Sequence, residues 1–252
     1  ETEDRRIDTS PERIRRQVEK SLRLLGEDVG IIDLYQLHGK NYSGYLTAPV
    51  MNELIKEGKI RAYGVSNYSV WDMVDILDVC EQEGLIKPAT TQPFANAIHG
   101  FDDIESAFMA HQEGMTILAH SPLHKGMLSE AMIEATDKYI KSREEKGDET
   151  TELDNLREGL DILNELSERA LEAGHNLARL GIAWTSMYLD MRTVVLSAPT
   201  DKSRLEDVRA SANWRLDDET LDAIDAAQAR FKKLNFNNMS LNLMKAMRAY
   251  YR

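Results

Sequence analysis

The 252 residues are 42% hydrophobic, which is enough to bury the core of one domain. A net charge of -12, from 43 acidic and 31 basic residues, argues against nucleic acid as the main partner, because phosphate binding needs a basic surface. The single cysteine, Cys80, excludes an internal disulfide framework, and no apolar run reaches the roughly 18 residues of a membrane span, so we expect a soluble cytoplasmic protein.

Helices and strands alternate along the first half of the chain. Ser10 can cap a helix that has Pro11 at its first position, and Gly26 can end it. The predicted elements are helix 10–25, strand 31–37, helix 49–57, strand 60–65, helix 69–83, strand 90–94, helix 102–113 and strand 115–119. This alternation predicts parallel strands joined by helical crossovers.

The pattern changes at Leu128–Leu160, a charged stretch that we interpret as an inserted helix and a mobile loop. Order then returns, and the predicted elements are helices 162–173 and 177–189, strand 193–197, a helix from about 202 and a helix over 217–230. A loosely helical apolar pattern in the tail is interpreted as docking on the chain's own core. We therefore predict one partial barrel domain over 1–252, with five strands, an insertion near 128–160 and a tail near 231–252.

Polar side chains follow three of the predicted strands. His38 comes directly after the first, Ser66 and Asn67 end the second, and Gln92 lies near the end of the third. The carboxyl ends of parallel strands meet at one edge, so these groups predict a binding site there. Each has a structural alternative, since a histidine at a strand end is often structural and Ser-Asn often starts a turn. No metal site is predicted, because no two histidines share a helix face at metal-ligand spacing.

Longer motifs carry a resemblance to a known family. Stretches 10–26, 32–38, 58–67, 121–128, 176–184 and 194–207 resemble successive segments of the aldo-keto reductases, in the family's order. The match runs from about Ser10 to Ala227. This resemblance implies an α/β fold, the (β/α)8 TIM barrel, here represented by about five of eight strands plus a C-terminal tail.

The same resemblance implies roles for particular residues. His38 corresponds to the catalytic histidine, which orients a substrate carbonyl during hydride transfer. The residues implied to bind the cofactor NADP(H) are Ser66, Asn67, Gln92, His120, Ser121, Leu123, Lys202, Ser203 and Arg204. Cations beside the adenosine favour NADPH, because its extra phosphate needs charge-assisted partners. The implied reaction is reduction of a small aldehyde or ketone to an alcohol.

Some features depart from the family. His120 replaces a usual tyrosine, and Val208 replaces a usual asparagine. The general-acid tyrosine, its aspartate and its lysine belong to segments before the helix that begins near Ser10, so we expect the first three strand-helix units to be missing from this sequence. Losing proton donation removes a factor of about 10²–10⁴, which predicts poor activity or none. The alternative is a non-catalytic member that binds a nicotinamide nucleotide or a protein partner.

Overall fold

A computed structural model describes residues 8–26, 28–101, 103–187, 193–195 and 202–234. In chain order its elements are α1 (Pro11–Leu25), β1 (Ile32–Leu37), α2 (Gly44–Lys56), β2 (Ile60–Ser66), α3 (Val70–Gln82), β3 (Thr90–Gln92), β4 (Ala95–Asn96), β5 (Gly100–Phe101), α4 (Ile104–Gln112), β6 (Thr116–Ala119), a 3-10 turn (His124–Gly126), α5 (Glu130–Glu144), α6 (Thr151–Glu172), α7 (Leu177–Met187), β7 (Thr193–Val195), α8 (Lys202–Ser211) and α9 (Asp218–Lys233). None of the described helices has the length and apolar composition needed to cross a membrane.

Five strands form one sheet in the order β1-β2-β3-β6-β7, and the pairs β1-β2, β2-β3 and β3-β6 are parallel. These are the five strands predicted from the apolar runs, and their positions are confirmed within a few residues. The short β4 and β5 form a separate two-stranded sheet that the sequence did not predict. Pro93 follows β3 directly and lacks the N–H that a ladder needs, which explains why this strand ends before the predicted Phe94.

The described residues divide into two compact units. The first contains those within 1–94, 101–118 and 191–194, and the second contains those within 95–100, 119–190 and 195–252. In the first unit, α2 packs against α1, α3 and β2, and Ile60, Tyr63 and Val65 of β2 are fully buried. In the second, α6 packs against α5, α7 and α9, and Trp184 and Phe231 lie in its core.

The structure changes the bounds of two predicted helices. The helix predicted from Pro49 begins at Gly44, whose N–H donates to Asp75 Oδ2 at 2.8 Å, a partner 31 residues away that no local pattern reveals. The helix predicted within 128–160 is confirmed as α5, but α6 begins at Thr151, well before the predicted start at 162, so little of the stretch is loop. Ser129 and Thr150 cap these helices through their side-chain oxygens.

Helix α6 forms in this charged stretch because it has a continuous apolar face. The buried leucines of this face recur at helical spacing, at positions 153, 156, 160, 163 and 166. Its charged residues occupy the remaining surface. Of the predicted tail near 231–252, the first residues complete α9, and 235–252 lie outside the described residues.

Candidate active site

His38 is the first residue after β1, and its side chain is exposed. The chain around it is held from the next strand end, because Asn67 Nδ2 donates a hydrogen bond to the His38 backbone oxygen at 2.8 Å. The imidazole is thus presented to solvent on a backbone that a neighbouring side chain fixes. A neutral imidazole in such a position can donate a hydrogen bond to a carbonyl oxygen.

Ser66 and Gln92 connect the ends of β2 and β3. Ser66 is 3% exposed, and its Oγ donates to the Gln92 backbone oxygen at 3.0 Å. The backbone N–H of Asn67 donates to the same oxygen at 3.3 Å. The structure therefore brings His38, Ser66, Asn67 and Gln92 to one edge of the sheet and links them by hydrogen bonds.

Asn67 has a backbone conformation that few residues adopt readily. Its φ is +56°, in the left-handed region that costs most side chains energy but that asparagine tolerates. This turn takes the chain from β2 to Ser69, which caps α3 in a reciprocal arrangement with Asp72. The strand end and the following helix are therefore both fixed by local sequence.

A polar network that the sequence did not predict lies beside these strand ends. Gln36 on β1 and Thr90 on β3 flank Gly64 of β2 in register. Thr90 Oγ1 donates to Gln36 Oε1 at 2.9 Å, while Gln36 Nε2 donates to the Val65 backbone oxygen at 3.2 Å. The side chains can meet only because the intervening residue is glycine, since a Cβ on Gly64 would lie 1.9 Å from Thr90 Oγ1.

The edge retains polar atoms that suit an amide ligand. The amino group of Asn67 already bonds to His38, but no described residue hydrogen-bonds to its Oδ1, which can accept. Gln92 Oε1 lies 3.5 Å from Gln36 Nε2, which leaves the Gln92 amino group available to donate. One acceptor and one donor match the amino group and the oxygen of a carboxamide, so the residues present fit a nicotinamide.

Two tyrosines close to these strand ends are poor proton donors. Burial raises the pKa of Tyr63, and its hydrogen bond to Cys80 raises it further. The Tyr63 hydroxyl is also used internally, since it donates to the Ile86 backbone oxygen at 3.0 Å. Burial likewise raises the pKa of Tyr68, which is 5% exposed, and the charges of Asp72 and Asp75 add to the effect. Neither hydroxyl is placed to protonate an exposed substrate.

Three other predicted cofactor residues lie in the second unit, in and before the loop that leads to the 3-10 turn. His120 is exposed, and its backbone oxygen accepts from Ala95 N at 2.6 Å. Ser121 Oγ accepts from Lys125 N at 3.2 Å, and the Leu123 backbone oxygen accepts from Gly126 N at 2.8 Å. These bonds give the loop a defined shape.

The remaining predicted residues begin α8. Lys202 is its first residue and is exposed, while the side chains of Ser203 and Arg204 lie outside the described part of the structure. One turn further on, Asp207 Oδ1 accepts from Arg179 Nε at 2.9 Å, which joins α8 to α7. The cationic start of α8 is therefore fixed to the rest of the second unit.

A parallel sheet with helical crossovers and polar strand ends defines an α/β protein, and comparison with known proteins identifies the family. The model of the Aldo/keto reductase family matches residues 2–229. The chain belongs to this family, whose fold is the (β/α)8 barrel. Five strands of the main sheet lie in the described residues.

Individual relatives match over different lengths. Mouse aflatoxin B1 aldehyde reductase member 2 is 31% identical over 121 residues, which cover 47% of this chain and 32% of the mouse protein. The NADH-specific methylglyoxal reductase of Escherichia coli is 26% identical over 214 residues, 83% of this chain and 62% of that protein. A putative aryl-alcohol dehydrogenase of Saccharomyces cerevisiae, AAD16, is 26% identical over 170 residues, which cover 66% of this chain and 48% of the yeast protein. The chain thus spans less than two thirds of each of these relatives.

Proposed function

We propose that the protein is an oxidoreductase that uses NADPH to reduce an aldehyde or ketone to an alcohol. The observation that carries this proposal is the linked edge formed by His38, Ser66, Asn67 and Gln92. Family membership and the names of the relatives, which include aldehyde and methylglyoxal reductases, support the same reaction class.

The nicotinamide carboxamide would be held by the strand ends. Asn67 Oδ1 would accept from its amino group, and Gln92 would donate to its oxygen. When bound, the cofactor supplies the hydride. His38 donates a hydrogen bond to the substrate carbonyl oxygen, which polarises the carbonyl and fixes its orientation.

The choice of NADPH rests on the start of α8. Lys202 and Arg204 are cations at or beside a helix N-terminus, where an extra phosphate is favoured by both charge and backbone N–H groups. The E. coli relative is named for NADH, so the two cofactors are compared directly in the test. An exposed Lys202 replaced by Ala should weaken NADPH binding and leave NADH binding unchanged.

Proton donation is the weak step of the proposed reaction. Burial keeps Tyr63 and Tyr68 protonated but away from solvent, so neither serves as the general acid. We infer that these 252 residues turn over slowly, with water supplying the proton to the alkoxide. A reaction that lacks a positioned proton donor typically loses a factor of about 10²–10⁴ in rate.

The test combines cofactor titration with single-turnover reduction of an aldehyde. We expect His38→Gln to lower the rate about 10²-fold with an unchanged Kd for NADPH, and Gln92→Ala to raise that Kd about 3- to 10-fold. Gln112→Ala is the control, because this exposed glutamine lies at the end of α4 and away from the strand ends.

Three outcomes are distinguishable. Reduction that depends on both His38 and NADPH supports the proposal. Tight NADPH binding with no reduction, even in a single turnover, favours the non-catalytic nucleotide-binding alternative. Failure to bind either NADPH or NADH refutes both readings.

A further inference from the structure

Lys40, two residues after His38, lies between two carboxylates of α3. Its Nζ is 2.9 Å from Asp72 Oδ1 and 2.8 Å from Asp75 Oδ2. The Lys40 side chain is 20% exposed and each aspartate side chain is 29% exposed, so solvent screens these pairs less than it screens pairs on the open surface. The loop after β1 is therefore attached to α3 by a partly buried ion-pair cluster.

The two aspartates are themselves held in place. Asp72 Oδ2 accepts from the backbone N and the Oγ of Ser69 as part of the α3 cap, at 3.0 and 2.8 Å. Asp75 Oδ2 also accepts from Gly44 N at the start of α2. Lys40 thus binds carboxylates whose orientation does not depend on Lys40, which makes them a fixed anchor.

Other contacts also hold the loop between His38 and Gly44. The backbone oxygen of His38 accepts from Asn67, as described above, and Asn41 Oδ1 accepts from the backbone N and the Oγ1 of Thr9 at 2.7 and 2.8 Å. A Cβ on Gly44 would lie 2.8 Å from backbone atoms of Asp75 and Ile76, so α2 starts directly against α3. Of these anchors, Lys40 is the one with a charged side chain, and it lies two residues after His38.

The pKa shifts of Lys40, Asp72 and Asp75 keep all three groups charged over a wide pH range. Burial acts to lower the pKa of Lys40, but its hydrogen bonds with Asp75 and Asp72 outweigh burial and raise it. Burial acts to raise the pKa of both aspartates, but the hydrogen bonds from Lys40, together with those from Ser69 to Asp72 and from Gly44 to Asp75, lower it below its usual value. Removing the ammonium would leave two neighbouring carboxylates that repel each other.

We infer that Lys40 is a positioning residue that holds the loop of His38 against α3, so that the imidazole meets the substrate carbonyl in a reactive orientation. This role rests on the proposed function of His38. It does not require Lys40 to touch substrate or cofactor. A misplacement of about 1 Å at a reacting group can lower a rate about 10²-fold, which is the scale of effect that a lost anchor can produce.

The test compares Lys40→Met, Lys40→Arg and a matched control, Lys59→Met. Lys59 also bridges two carboxylates, those of Glu19 and Glu57, and is 31% exposed, but it precedes β2 at the opposite end of that strand from Ser66. Amide hydrogen exchange over residues 38–44 and the NMR signals of the His38 ring are followed in each variant. NADPH affinity and the rate of aldehyde reduction are measured in parallel.

For Lys40→Met we expect at least about 10-fold faster exchange in residues 38–44 and about 10- to 100-fold slower reduction, with an unchanged Kd for NADPH. Lys40→Arg should keep most of the slow loop exchange and most of the reduction rate, because arginine can also bridge two carboxylates. Lys59→Met should alter neither the loop exchange nor the reduction rate. If Lys40→Met folds poorly, Asp75→Asn, which keeps the size of the side chain, should give a smaller change of the same kind.

The inference is overturned if exchange over 38–44 and the His38 ring signals are unchanged in both Lys40→Met and Asp75→Asn. It is also overturned if Lys59→Met has the same effects as Lys40→Met, since that would reflect general stability. The exchange and NMR measurements need no turnover. A protein that fails to reduce aldehydes would therefore refute the proposed function without deciding whether Lys40 fixes the loop.

Discussion

Replacing Gly64 by alanine should destabilise the first unit through a single added methyl group. The new Cβ would lie 1.9 Å from Thr90 Oγ1 and 2.1 Å from Gln36 Oε1. Thr90 is 8% exposed and β-branched, so it has little freedom to turn away. Overpacking of this kind costs about 1–3 kcal/mol, and separating the Gln36–Thr90 hydrogen bond adds about 1 kcal/mol. We expect a total loss of about 2–4 kcal/mol.

Urea unfolding followed by circular dichroism measures this loss as a lower transition midpoint. The control is Gly30→Ala, because a Cβ at Gly30 has no atom within 4 Å and the change should stay within about 0.5 kcal/mol. Thr90→Ala removes the nearest clashing atom, so the double variant should lose less stability than the sum of the single variants. If Gly64→Ala unfolds at the same urea concentration as Gly30→Ala, the proposed close approach of Gln36 and Thr90 is wrong.

Three further predictions concern other parts of the structure. Burial, and then the charge of Arg179, lowers the pKa of His175. The contribution of His175 to stability is therefore present above about pH 6.5, its usual pKa, and declines as the pH falls below that value. Between pH 7 and pH 5 the unfolding free energy of His175→Asn should fall less than that of the parent protein. Ser69→Ala should cost about 1 kcal/mol in urea unfolding because α3 loses its capping box, whereas an unchanged midpoint would contradict that assignment. Gly44→Ala should lower the thermal midpoint, since its Cβ would meet the backbone of Asp75 at 2.8 Å, and a variant as stable as the parent would show that the two helices can move apart.

The strands were predictable because each is a short apolar run bounded by glycine, proline or a polar strand end. The placement of His38, Ser66 and Gln92 at one edge followed from parallel pairing alone, since register aligns residues at the carboxyl ends of neighbouring strands. Their chemical roles remain predictions. Geometry brings the residues together but does not by itself assign a reaction.

The polar contacts around the edge were not predictable from local pattern. Lys40 and Asp75 are 35 residues apart, and Gln36 and Thr90 are 54 apart, so only the folded chain brings each pair together. A signal for Gln36 did exist, because it is a polar residue two positions before His38, near the carboxyl end of a strand. The helical spacing of the leucines in α6 was also present in the sequence. The many charged residues of 128–160 led to the interpretation of a loop instead.

Position 67 requires both a positive φ and a side-chain donor that reaches the His38 backbone oxygen, and few residue types meet both requirements. Glycine would adopt the positive φ but has no side chain to reach the His38 carbonyl, and aspartate would tolerate the backbone but presents oxygen where a donor is needed. Serine or alanine would meet neither demand well. Because the bond reaches a backbone oxygen, which any residue at position 38 would present, asparagine at position 67 should be kept in related chains even where another residue replaces the histidine.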